Sequence, residues 1–289
     1  MAVDELATEV AAPALASTPT RGSQLGPILL ALVGGAVVFV LGTPYFELFE
    51  STNDSEVFNG AVTAALGALW FTFRNRDDGY SVVSSGLFVA AAAMWVLVIG
   101  PFNWLITADN GTVQEAFQDK TAQFLCIVPV VLALTWAMGR SRDSLYLETG
   151  RPRRWLPFGT VAIVVGAVIV TLVAMADGAD FSDVLDVAPW MLGFAAMNAL
   201  MEELWFRSVF LKPYVEKLGA TVAIWVTAIV FGISHVEATY ISDARQIPFA
   251  LLVAALGALL AWTMRWGRSI WGAVLAHMAL DFVVLFEFV

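Results

Sequence analysis

Apolar stretches, each near the roughly 20 residues that a helix needs to cross a bilayer, follow one another along this chain with only short polar joints between them. They run over residues 27–46, 59–73, 82–106, 120–138, 155–176, 188–211, 220–236, 247–264 and 269–287. This pattern predicts an all-α, polytopic membrane helix bundle of eight to nine transmembrane helices. Composition agrees: 59% of the 289 residues are hydrophobic and 14% are charged, more apolar surface than a soluble domain has use for.

Residues 1–26 lack apolar periodicity and lack the basic start of a cleaved signal peptide, so they are expected to be a disordered tail. Basic residues fix an expected orientation, because cytoplasmic loops near spans collect Lys and Arg. With the N-terminus inside, Arg21, Arg74, Arg76, Arg140, Arg142, Arg151, Arg153, Arg154, Lys212, Lys217, Arg265 and Arg268 fall on the cytoplasmic side, and Lys120 and Arg245 fall outside. The C-terminus is then outside, and a multi-pass protein of the bacterial cytoplasmic membrane is expected. The acids of "FELFESTNDSE" and "DGADFSDVLD" make the outer loops negative. A net charge of -10 argues against a nucleic-acid partner.

The chemistry is concentrated late in the chain. Asn198, Glu202, Glu203 and Arg207 share one predicted span, His235 ends the next, and His277 and Asp281 lie on the last. The two histidines are the only ones present. Residues four apart share a helix face, so Glu203 can pair with Arg207, Glu202 shares a face with Asn198, and His277 shares one with Asp281. Phe231 lies one turn before His235. Glu202 is rotated about 100° from Glu203. An unpaired charge at the bilayer centre costs about 3 kcal/mol or more, so such groups face the bundle interior. A self-neutralising Glu203–Arg207 pair is compatible with mere packing. Four further titratable groups on three helices exceed what packing requires. Cys126, alone in an apolar span, reads as a small buried side chain.

Glu202-Glu203-x-x-x-Arg207, Phe231-x-x-x-His235 and His277-x-x-x-Asp281 resemble, in order, the EExxxR, FxxxH and HxxxN/D motifs of the CAAX protease and bacteriocin-processing (CPBP, or Abi) family of intramembrane proteases. The resemblance covers about residues 155–289. It divides the chain into the tail, an N-terminal four-helix region over 27–154 and a catalytic core over 155–289. It implies an intramembrane endopeptidase acting on a membrane-associated protein or peptide, of CAAX type or peptide-processing type. Glu202 would activate water with help from His235, His277 and Asp281 would serve the oxyanion, and Glu203 and Arg207 would hold the helix, with Asn198 and Phe231 supporting.

Asp281 stands where prenyl-protein proteases of this family often carry asparagine. An ionised carboxylate repels an oxyanion, so Asp281 is either protonated, or orients His277, or helps bind a metal. Glu202, His235, His277 and Asp281 form a set that could ligate zinc, although the expectation is a site without cofactor. Two rival classes use the same residues: a non-catalytic immunity or scaffold partner of the same fold, and a proton-coupled transporter, for which no inverted repeat is found.

Helix geometry sets one further condition. A straight helix rising from Gly219 would carry His235 about 24 Å, past the depth of Glu202. For His235 to join the others, the helix either begins deeper in the bilayer, after a partly submerged "LKPYVEKLG" joint, or is strongly tilted, and the joint is expected not to be a simple surface loop. Trp205 and Phe206, beside the first motif, are expected either to receive substrate or to face lipid.

Overall fold

The computed structural model describes residues 24–43, 49, 51–178, 180–236 and 245–284, apart from the side chains of 283 and 284. The expected tail lies outside these residues except at its end, where Leu25 already begins the first helix.

α1 (Leu25–Ala36) continues into a π-helical segment, Val37–Leu41, and is followed by α2 (Thr52–Phe73), α3 (Gly79–Ile99) and α4 (Val113–Ala137). α5 (Pro152–Ala176) leads to α6 (Phe181–Glu202), which runs into a second π-helical segment, Glu203–Ser208. α7 (Leu211–Leu218), α8 (Ala220–Ile233), α9 (Gln246–Gly267) and α10 (Trp271–Val284) complete the chain, and no strand occurs among the described residues.

Each expected apolar stretch overlaps a helix among the described residues, and residues 44–46 and 285–287 of the first and last stretches lie outside them. α3, α4, α5, the continuous run Phe181–Leu218 and α9 are long and apolar enough to cross a membrane, and Leu25–Leu41 and Ala220–Ile233 are shorter apolar helices. The chain is therefore a multi-pass membrane protein. α5 shows which surface meets lipid: Val161, Val164, Val168 and Leu172 are exposed along it.

Polar joints start the helices. The amide of Asp54 donates to Ser51 Oγ at 3.2 Å, that of Ser81 to Asp78 Oδ1 at 3.2 Å, and that of Glu115 to Thr112 Oγ1 at 3.1 Å. Asp180 and Asp183 close a capping box at the start of α6. Several acids expected in outer loops thus lie in first helical turns, Asp54 and Asp183 among them, where the helix dipole favours negative charge.

Basic residues gather at one end of the bundle. Arg140 Nη1 donates to the carbonyl of Val209 at 2.8 Å, Lys212 pairs with Asp143, Lys217 pairs with Asp77, and Arg154 Nη1 donates to the carbonyl of Trp266 at 3.3 Å. These contacts tie together the joints after α2, α4, the second π segment and α9.

The "LKPYVEKL" joint is a helix rather than a surface loop, as expected. Leu211, Pro213, Tyr214 and Leu218 of α7 are buried. The expectation for Trp205 and Phe206 is corrected: both are buried against the N-terminal helices and face neither lipid nor an open groove. Phe39, on the first π segment, stacks on Phe206 at 4.3 Å and meets Trp205 edge-on at 5.0 Å. Trp205 Nε1 donates to the carbonyl of Ala90 on α3 at 3.3 Å. An indole in a dry interior needs such an acceptor, which the sequence of α6 alone could not name. Cys126 is buried, as expected.

Candidate active site

α6 and the π segment that extends it carry Asn198, Glu202, Glu203 and Arg207, all buried, toward α8, α9 and α10. In the π segment the amide of Val209 reaches back five residues to the carbonyl of Leu204 at 3.2 Å. Such widened turns are frequent at functional sites. Glu203 and Arg207, both at 0% exposure, form an ion pair within this segment.

The arginine is held on three sides. Besides Glu203, its Nε donates to the carbonyl of Gly257 on α9 at 3.3 Å, and its guanidinium lies 4.1 Å from the centre of the Phe231 ring. Gly257 allows this approach: a Cβ there would lie 3.0 Å from Arg207 Nη2 and 3.2 Å from the Phe231 ring. Gly257→Leu is therefore expected to push the guanidinium off the ring and to destabilise the protein by about 1–3 kcal/mol, read as a lower melting temperature in detergent.

His277 on α10 is the centre of the cluster. Its Nδ1 is 2.7 Å from Glu203 Oε1, while its Nε2 lies 3.6 Å from Glu202 Oε2 and 3.8 Å from Asp281 Oδ1. Glu203 accepts only, so Nδ1 carries the proton in that bond. The rotation of about 100° expected between Glu202 and Glu203 does not keep them apart. Both carboxylates reach the same imidazole, because its two nitrogens lie on opposite sides of the ring.

Asp281 is not the group that orients His277. Its Oδ1 instead accepts a hydrogen bond of 3.1 Å from Asn198 Nδ2, linking α10 to α6.

His235 completes the group through Phe231. The Phe231 ring lies 4.6 Å from the His235 ring and 5.9 Å from the His277 ring, both edge-on. His235 Nδ1 is 2.8 Å from the Phe231 carbonyl, which only accepts. That bond places the proton on Nδ1 and leaves Nε2 with its lone pair in the neutral ring. The Phe231 ring touches both imidazoles, so α8 and α10 bring His235 and His277 to a common depth.

Glu202 Oε2, Glu203 Oε2, Asn198 Oδ1 and Asp281 Oδ2 accept no hydrogen bond among the described residues. A buried polar atom left this way costs about 1–3 kcal/mol, which a purely structural cluster would have been expected to shed. Among the described residues, no three His, Cys, Asp or Glu side chains converge as a metal ion would require. The Glu203–His277 bond, the Asn198–Asp281 bond and the part played by Gly257 were not read from the sequence. A glycine inside an apolar helix, in a bundle that must make room for a buried arginine, was the one available hint.

Helices spanning a membrane around a buried carboxylate–imidazole cluster define a polytopic protein with the groups for acid–base chemistry within the bilayer. Residues 184–283, which hold all three motifs, match the family model described as Type II CAAX prenyl endopeptidase Rce1-like, in support of the resemblance to the CAAX protease (CPBP) family. Comparison with curated proteins and with solved structures returns no match.

Proposed function

We propose that the chain is a glutamate-dependent intramembrane endopeptidase that cleaves a peptide bond of a membrane-associated protein or peptide. The family match supports protease activity, and the observation that carries the mechanism is the His277 imidazole bracketed by Glu203 on Nδ1 and by Glu202 and Asp281 at Nε2. Glu202 takes a proton from the attacking water, with the free Nε2 of His235 as the assisting acceptor. An imidazolium at His277, held by Glu203, presents its Nε2–H to the developing oxyanion. The proton on Glu202 then goes to the departing amine.

Asp281 fits this scheme through Asn198. The Asn198 amide spends one hydrogen on Asp281 Oδ1 and retains a second, so it supplies next to position 281 the donor that related prenyl-protein proteases often carry as asparagine. Asp281→Asn is expected to keep cleavage within about tenfold of wild type, and Asn198→Ala to lower it by about 100-fold. Similar losses in both variants would contradict the assignment.

The basic end of the bundle is read as cytoplasmic, with the N-terminus inside and the C-terminus outside a bacterial cytoplasmic membrane. The activity is tested with detergent-purified full chain on a quenched peptide library, wild type beside Glu202→Gln and His235→Ala, with and without a zinc chelator. Cleavage that disappears in both variants and survives chelation is expected. Loss on chelation would give Glu202, His235, His277 and Asp281 to a zinc ion, and cleavage that survives both substitutions would remove the proposed base.

A further inference from the structure

At the basic end, away from the cluster of titratable groups, the joint between α4 and α5 folds against the turn between α9 and α10. Three hydrogen bonds lock the two together, and a fourth braces the joint itself. The amide of Arg151 donates to the carbonyl of Gly267 at 2.7 Å, and that of Ile270 to the carbonyl of Tyr146 at 2.8 Å. Ser269 Oγ donates to the carbonyl of Glu148 at 2.8 Å, and within the joint Trp155 Nε1 donates to that of Thr149 at 2.7 Å. Tyr146 and Arg268 adopt positive φ, of 56° and 52°, to make these turns. Gly150, at φ 58°, lies so close to the opposite turn that a Cβ would meet the Gly267 carbonyl oxygen at 2.5 Å.

The locked turns border an open cavity of about 630 Å³ whose lining includes Arg142, Arg151 and Arg268, with Trp271 beside them. The three guanidiniums make no hydrogen bond or ion pair among the described residues. Two acids also line the cavity, Asp143 and Glu148. The hydrogen bond from Lys212 holds the Asp143 carboxyl below the usual carboxylate range, and the charge of Arg268 adds to this. Three guanidiniums without a hydrogen-bond partner thus outnumber the two carboxylates, one of which is already paired with Lys212. Trp266 and Trp271, each 37% exposed, stand at the same end, where indoles mark the membrane–water boundary.

We propose that this cavity binds a phosphate group, that of an anionic lipid headgroup. Guanidiniums grip phosphate oxygens in pairs, and a basic pocket between helix ends at the interface is within reach of headgroups but not of acyl chains. The occupied cavity would clasp the turn that launches α10, six residues before His277.

The test is native mass spectrometry of the full chain in detergent, titrated separately with phosphatidylglycerol, phosphatidylcholine and glycerol phosphate. Wild type is expected to retain phosphatidylglycerol at least about tenfold better than phosphatidylcholine, and Arg142→Gln/Arg151→Gln to lose that preference. Arg153→Gln, a neighbour that does not line the cavity, should keep it. Salt near 0.5 M should erase the preference in wild type, a readout needing no substitution. Equal retention by wild type and the double variant, or a preference unmoved by salt, would overturn the proposal. Glycerol phosphate binding as tightly as the lipid would assign the cavity to a soluble phosphate and overturn the lipid source.

Discussion

Arg207→Met is expected to lower the stability of the folded protein by about 3–5 kcal/mol, because it leaves the carboxylate of Glu203 buried without its counter-charge. Both residues of the pair are fully buried, so water cannot replace the lost partner. That loss is a large part of the 5–15 kcal/mol by which a protein of ordinary stability stays folded, and yield from the membrane should fall with it. Glu203→Met/Arg207→Met should recover most of the melting temperature, since a buried pair exchanged for apolar groups of similar volume is often neutral. It should not recover cleavage, because His277 loses the acceptor on Nδ1. Melting of Arg207→Met within about 1 kcal/mol of wild type would show that the pair does not hold the helices together.

Glu202→Gln should give the opposite pattern, a folded protein without turnover. The substitution conserves volume, and the carboxylate oxygen that faces His277 Nε2 at 3.6 Å accepts no hydrogen bond among the described residues that the amide would forfeit. An amide cannot take the proton of the attacking water, so kcat should fall by about 10²–10⁴-fold. The comparison is made on protein whose elution profile and melting match wild type. Activity within tenfold of wild type would move the base elsewhere, with His235 the next group to examine.

The groups of this cluster were legible from the sequence because charge in an apolar span is conspicuous, and because residues four apart on one helix must share a face. Glu203 with Arg207 is the clearest case. Which helix each group answers to was not legible. Spacing along α10 couples His277 to Asp281, yet each takes its hydrogen bond from α6 or its π extension, His277 with Glu203 and Asp281 with Asn198. A single chain position carries no record of how helices are rotated against one another, and the π segment shifts the phase that ordinary helical counting assumes. Trp205 and Phe206 were ambiguous for the same reason. An aromatic residue in a span is suited to lipid or to a core, and only the arrival of Phe39 decides between them.

That arrival bears on how such a centre can change over time. The stretch shared with the family holds every group of the cluster, but the aromatic surface behind Glu202 and Glu203 rests on Phe39, which lies outside it. The recognisable stretch is thus not a cassette that could be transplanted intact. Variation at Phe39, or at Ala90 beneath the Trp205 indole, can retune the spacing of the carboxylates while every motif residue stays the same. Two homologues with identical motifs could then differ in rate or selectivity through helices that no signature would flag.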